Sequence, residues 1–121
     1  MTADRSAMSF SELLAWAWRE TPPLHRHRAN LLIHLFAVPL FVIGHGLVVV
    51  GIFKPLFIPV ALLCIAVSLV LQKFGHSREQ TSVPPFTDFR DFARRLYAEQ
   101  FCNFWRFLFS GQWHASFKAS L

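Results

Sequence analysis

Two uncharged apolar stretches dominate the middle of this chain and limit what it can fold into. Residues 29–53, ANLLIHLFAVPLFVIGHGLVVVGIF, run for 25 residues without Lys, Arg, Asp or Glu. At about 1.5 Å per residue such a helix exceeds a hydrocarbon core of roughly 30 Å. Residues 55–72, PLFIPVALLCIAVSLVLQ, number 18, at the lower edge of the roughly 17 to 25 needed to span, so this segment crosses with little tilt or thins the bilayer. A soluble bundle would have to cover both helices on every side, and a chain of 121 residues has little left to do so. The reading is therefore an all-α integral membrane protein with antiparallel spans over 30–53 and 55–73, joined tightly at Lys54 and Pro55.

Charge sets the expected orientation. Arg19, Arg26 and Arg28 precede the first span and Lys73, Arg78, Arg90, Arg94 and Arg95 follow the second, against Lys54 alone at the turn. The positive-inside rule then places both termini in the cytoplasm, most simply across a bacterial inner membrane. The net charge of +5 has the same origin, since the cations flank apolar segments and alternate with aromatics. That pattern suits anionic lipid headgroups and not a nucleic-acid partner. Residues 1–20 contain Asp4, Glu12 and Glu20 and lack a continuous apolar core, so no cleavable signal peptide is expected and the first span serves as its own insertion signal. Cys64 and Cys102 have no paired spacing, which argues against a disulfide or a zinc-thiolate site.

Amphipathic segments flank the hairpin within a single membrane domain over 1–121. Ser9 and Glu12 match a capping box, and Phe10, Leu13, Leu14 and Ala17 follow at helical spacing, predicting a helix over 9–20 stopped by Thr21-Pro22-Pro23. Trp16 and Trp18 suit the headgroup boundary. After Pro84-Pro85, Phe89, Phe92, Ala93, Leu96 and Phe104 form one stripe, with Asp91, Arg95, Glu99 and Arg106 on the other side. This predicts a second interfacial helix over 87–109, ended near Ser110-Gly111. Two spans bury little surface against each other, so a homodimer or larger homo-oligomer is expected.

Any chemistry lies in the histidines at positions 25, 27, 34, 45, 76 and 114. His34 falls about a turn inside the first span and His76 just after the second, so an antiparallel hairpin brings them to one boundary. His45 is about 16 Å beyond His34 on a straight helix, too far to share a metal. On a continuous helix His25 would face away from His34. With Asn30 as the N-cap, residues 25–29 become a loop free to fold His25 back over the helix end. His25, His34 and His76 can then form a site, with Glu79 adding a catalytic carboxylate or orienting a ring. Neutral imidazoles and a carboxylate suit Fe(II), Zn(II) or Mn(II). Pro39 frees the Leu35 carbonyl and is expected to kink the first span above His34. Arg26, Arg28 or Arg78 are candidates to hold a substrate carboxylate. No role is assigned to His27, His45 or His114 in the site.

The run from His25 through Asn30 to His34, followed by Val38-Pro39, with Gly75-His76 and Glu79 beyond the second apolar stretch, resembles the small membrane proteins related to the fungal 2-hydroxy fatty acid dioxygenase. Pro85-Phe86, Glu99-Gln100, Arg106-Phe107 and Ser110-Gly111-Gln112-Trp113 are similar to a short bacterial branch of that group, so the resemblance covers roughly residues 20–113. It implies an Fe(II)-dependent oxygenase that removes one carbon from a 2-hydroxy fatty acid or related membrane lipid, with His25, His34 and His76 as iron ligands. The chain departs from the longer members in having Thr21 where they have Tyr, and in placing Glu79 three residues after His76 instead of four. A non-catalytic membrane scaffold or assembly factor, binding headgroups or a partner protein, is the competing expectation.

Overall fold

The structure, a computed structural model, describes residues 5–120, and the first four residues of the stretch read for a signal peptide lie outside it. A short 3-10 turn over Arg5–Ala7 leads into α1 (Phe10–Leu24), α2 (Arg28–Phe53), α3 (Phe57–His76) and α4 (Phe89–Ala98). A π-helical turn over Glu99–Asn103 then joins α4 to α5 (Phe104–Phe109), and α6 (Gln112–Ala119) follows.

α2 and α3 are each long and apolar enough to cross a membrane, yet only 28% and 17% of their most apolar windows is buried. A core helix of a water-soluble domain would be covered, whereas here Phe36, Ile43, Ile52, Leu63 and Val70 stand mostly exposed. The two helices pack antiparallel in a register set by small residues. Gly51 meets Ile58 near the turn, Gly44 meets Ala61 and Ile65, and the Ser68 hydroxyl donates to the Ala37 carbonyl. At the far end Gly75 lies against Asn30, where any Cβ would collide with Asn30 Oδ1. Close backbone approach of this kind replaces the hydrophobic effect where both sides are equally apolar.

α1 begins as its sequence predicts, with Ser9 Oγ accepting from Glu12 N and Glu12 Oε1 accepting from Ser9 N. It runs beyond Thr21, however, through Pro22 and Pro23 to Leu24. A proline φ is already helical, so two prolines can close a last turn at the cost of their missing donors. The Thr21 hydroxyl donates to Ala17 O, and His25 N donates to Pro22 O.

α2 starts at Arg28 with His27 as its N-cap, not at Asn30 as the sequence reading had it. The His27 ring accepts from Ala29 N, leaving the buried Asn30 amide to donate to Leu24 O and to Glu79 Oε2. The helix is unbroken through Pro39. α3 continues to His76, which therefore sits on the last helical turn and not on a tail beyond it.

The largest difference concerns the C-terminal segment. α4 is capped by Asp88, whose side chain accepts from Asp91 N, but Asp91 and Arg95, from the row expected to look outward, look inward, whereas Phe104 is buried and Arg106 exposed as that pattern has them. Asp91 and Arg95 are buried while Phe89 is 80% exposed. The reason is that the polar row finds partners. Arg5 donates to Asp91 from Nε and Nη2, Arg95 donates to the Pro84 and Pro85 carbonyls, and both guanidinium groups stack on Trp16. Trp16 thus contacts two cations of its own chain. Trp18 likewise carries the Arg106 guanidinium at 4.0 Å. After Ser110, Gly111 adopts φ 88, a left-handed conformation natural to glycine, and turns the chain into α6. α6 then docks on the start of α2 through Trp113 Nε1 donating to Leu31 O and Arg28 donating to Ser120.

Candidate metal centre

The corner between α1 and α2 contains only His25, Arg26 and His27. Glu79 holds it in place: its carboxylate accepts from Arg26 N and His27 N at 2.9–3.0 Å and from Asn30 Nδ2 at 2.7 Å. That latch folds His25 back over the start of α2, where it is 3% exposed. His25 Nδ1 donates to Thr21 O at 2.8 Å and His34 Nδ1 donates to Asn30 O at 3.0 Å. A carbonyl only accepts, so in each neutral ring the proton is on Nδ1 and Nε2 presents a lone pair. Backbone partners of this kind are the usual way a ligating histidine is oriented.

His76 completes the group from the end of α3. The ring centroids of His25, His34 and His76 lie 4.6 to 5.2 Å apart, with interplanar angles of 72° to 86°. Near-perpendicular rings at this spacing meet edge to face. His25 Nε2, His34 Nε2 and His76 Nδ1 are all buried without a hydrogen-bond partner. The fourth donor is Glu99, supplied by the π-helical turn, with Oε1 3.2 Å from His25 Nε2 and 3.9 Å from His34 Nε2. The His25 contact is within ion-pair distance but is not aligned as a hydrogen bond. Single π-helical turns often mark functional sites because they carry one residue out of phase with the helix. Here that turn is anchored by a reciprocal amide pair between Gln72 and Gln100, at 2.7 and 2.9 Å, which also ties to Ser68 on α3.

No protein-family model, curated protein or solved structure matches this chain.

Donor atoms of His25, His34, His76 and Glu99 all lie within 4.8 Å of one another. A metal about 2.1 Å from each donor holds them no more than about 4.2 Å apart, so the group closes by a few tenths of an ångström to bind one. The electrostatics agree. Burial pushes the Glu99 carboxyl up, but contact with His25 and the charges of His25, His34 and His76 pull it down from 4.5 to about 2. Burial opposes charge on His25, yet the Glu99 carboxylate, helped by Thr21 O and Glu79, leaves its pKa above the ordinary 6.5. A field that favours a proton on His25 also favours a divalent cation among these donors.

Of the residues singled out in the sequence, His25, His34 and His76 come together and Glu79 stands behind them as a latch on the corner. Glu99, which sequence reasoning placed on an outward polar face, is the carboxylate inside the cluster. Its one signal was an acidic residue i+4 from Arg95 and i+8 from Asp91 on a single helical row. Arg28 is engaged by Ser120 and Phe117, and Arg78 lies over Phe74. His45 donates from Nδ1 to Phe41 O and accepts from Tyr97 OH at 2.8 Å, apart from the cluster, and His114 lies exposed on α6.

A cavity of about 90 Å³ reaches the cluster at His25, His76 and Glu99. Its walls are mainly apolar, from Trp16, Leu24, Phe86, Phe92 and Leu96. Arg95 also lines it, but with its guanidinium committed to Asp91 and the Pro84 and Pro85 carbonyls.

Proposed function

We propose that this protein is an integral membrane oxygenase in which His25, His34, His76 and Glu99 hold Fe(II), and which shortens a 2-hydroxy fatty acid or related lipid by one carbon. The observation that carries the metal half of this reading is the convergence on one carboxylate of buried nitrogens from all three histidines, none of which makes a hydrogen bond. Leaving a buried nitrogen such as His76 Nδ1 unpaired costs about 1–3 kcal/mol unless something binds it.

Three neutral imidazoles and one carboxylate suit borderline divalent ions, with Zn(II) and Mn(II) as the other members of that class. Bound Fe(II) would supply activation of O₂ next to the carboxylate and 2-hydroxyl end of the substrate. The chain's own contribution is positional. Thr21 O and Asn30 O fix two imidazoles, and Glu79 keeps His25 in place. Trp16, Phe86 and Phe92 line an apolar approach to the histidines whose chemistry matches the alkyl part of a lipid. The lipid substrate is supported by that lining, by the apolar faces of α2 and α3, and by the sequence resemblance. In this reading α2 and α3 cross a bacterial inner membrane with both termini cytoplasmic, and their exposed faces meet lipid or a second copy of the chain.

Metal analysis of detergent-purified protein, followed by anaerobic Fe(II) loading and exposure to air, tests the proposal. A long-chain 2-hydroxy acid should lose one carbon by mass spectrometry, the unhydroxylated acid should not react, and His76→Ala should abolish the product. Iron-loaded protein that yields no shortened product at any chain length would reject the oxygenase in favour of a non-catalytic scaffold.

A further inference from the structure

A second concavity lies at the same end of the molecule and shares no lining residue with the cavity at the histidines. It encloses about 280 Å³ and is lined by Arg26, His27, Arg78, Glu79, Gln80 and Thr81, with Pro23 and the end of α6 closing it. Its rim is rich in donors without acceptors. The Arg26 guanidinium makes no hydrogen bond or ion pair among the described residues, its only polar contacts being through its backbone N–H. The Arg78 guanidinium rests on the Phe74 ring at 4.9 Å, and its N–H groups have no acceptor among the described residues.

His27 adds a third donor. Its Nδ1 accepts from Ala29 N at 3.1 Å, so the proton of the neutral ring is on Nε2. Glu79 also lines the space and keeps its negative charge, but its oxygens are engaged by Arg26 N, His27 N and Asn30 Nδ2 and form no ion pair with either guanidinium group among the described residues. Two like-charged guanidinium groups on one concave wall repel unless an anion lies between them.

We propose that Arg26, Arg78 and His27 form a phosphate-binding site distinct from the metal centre. Phosphate matches the rim better than a carboxylate does, because it offers several acceptor oxygens and up to two charges to a pair of planar guanidinium forks. The site sits beside the first turn of α2 and just past the last turn of α3, the level at which lipid phosphates lie if these helices span a bilayer. The headgroup source therefore rests on the membrane reading above and not on the metal, whereas a free phosphate requires neither.

The test uses full-length protein in uncharged detergent. Native mass spectrometry follows adducts with dioleoyl phosphatidic acid and with dioleoyl phosphatidylcholine, and calorimetry at low ionic strength follows inorganic phosphate. The R26Q/R78Q variant is compared with R19Q/K54Q, which loses the same charge at exposed positions that do not line the concavity. Phosphatidic acid should bind the wild type and the control variant, and about tenfold or more weakly to R26Q/R78Q. Binding of inorganic phosphate with the same arginine dependence would identify a free phosphate source instead. Circular dichroism and unchanged metal content establish that R26Q/R78Q is folded, and if it is not, R78Q alone should show an intermediate loss. No binding of either probe, or equal binding to both double variants, overturns the site.

Discussion

Replacing Glu99 and Glu79 separately by glutamine distinguishes a ligand from the residue that positions one. Glu99 lies 3.2 Å from His25 Nε2 and is held ionised, with a pKa of about 2. Glu99→Gln removes the only carboxylate among the four donors, so metal affinity should fall by about 100-fold or more, or about 2.7 kcal/mol. Glu79 acts through the backbone of the corner. A glutamine there keeps one oxygen for Arg26 N, His27 N and Asn30 Nδ2 but turns an NH₂ toward the remaining donors. Charge-assisted bonds contribute roughly 1.5–3 kcal/mol each, and their partial exposure leaves a local loss of about 1–2 kcal/mol. That loosens His25 while His34, His76 and Glu99 stay in place, so metal affinity should fall about tenfold. Both values come from competition against a chelator of known affinity with metal content read by mass spectrometry. Equal losses in the two variants would make Glu79 a ligand in its own right, and an unchanged affinity in Glu99→Gln would refute the four-donor centre.

Asp91 should make stability depend on acid. Burial raises its pKa, but hydrogen bonds from Arg5 and Thr87 N and the charges of Arg5 and Arg95 bring it from 3.8 down to about 2. The folded pKa is the lower one, so its contribution of about 2 kcal/mol is present above pH 4 and disappears as pH falls toward 2. The gap in thermal unfolding midpoint between wild type and Asp91→Asn should close over that window, and a constant gap would contradict it. Gly75→Ala pushes a methyl into Asn30 Oδ1 and should cost about 1–3 kcal/mol with loss of metal. Gly46→Ala meets nothing within 4 Å and should be neutral or slightly stabilising, so the reverse order in thermal midpoints would reject the packing at Gly75. His34→Ala should strip metal while His45→Ala, whose ring partners Phe41 O and Tyr97, should keep it, and equal loss would point to misfolding. Reporter fusions at either terminus should report the cytoplasm, and a periplasmic C-terminus would reject the proposed topology.

Several features of this protein could be read from local chemistry alone. The two apolar segments are visible because a long run without charge has few other uses, and the Ser9–Glu12 capping box because its partners are three residues apart. His34 and His76 were legible as neighbours once the two apolar helices were antiparallel, since chain length fixes which ends meet. Other features depended on contacts that no spacing encodes. His25 does reach the cluster, but His27 caps α2 and Asn30 instead ties Leu24 to Glu79, a choice made by which acceptor lies nearby in space. Asp91, Arg95 and Glu99 turn inward against the amphipathic rule because Arg5, the Pro84 and Pro85 carbonyls and the histidines satisfy them there. Periodicity shows that a helix has two faces. Which residues are buried is decided by the partners waiting for them, and in this chain Asp91 and Arg95 had them while Arg106 stayed exposed.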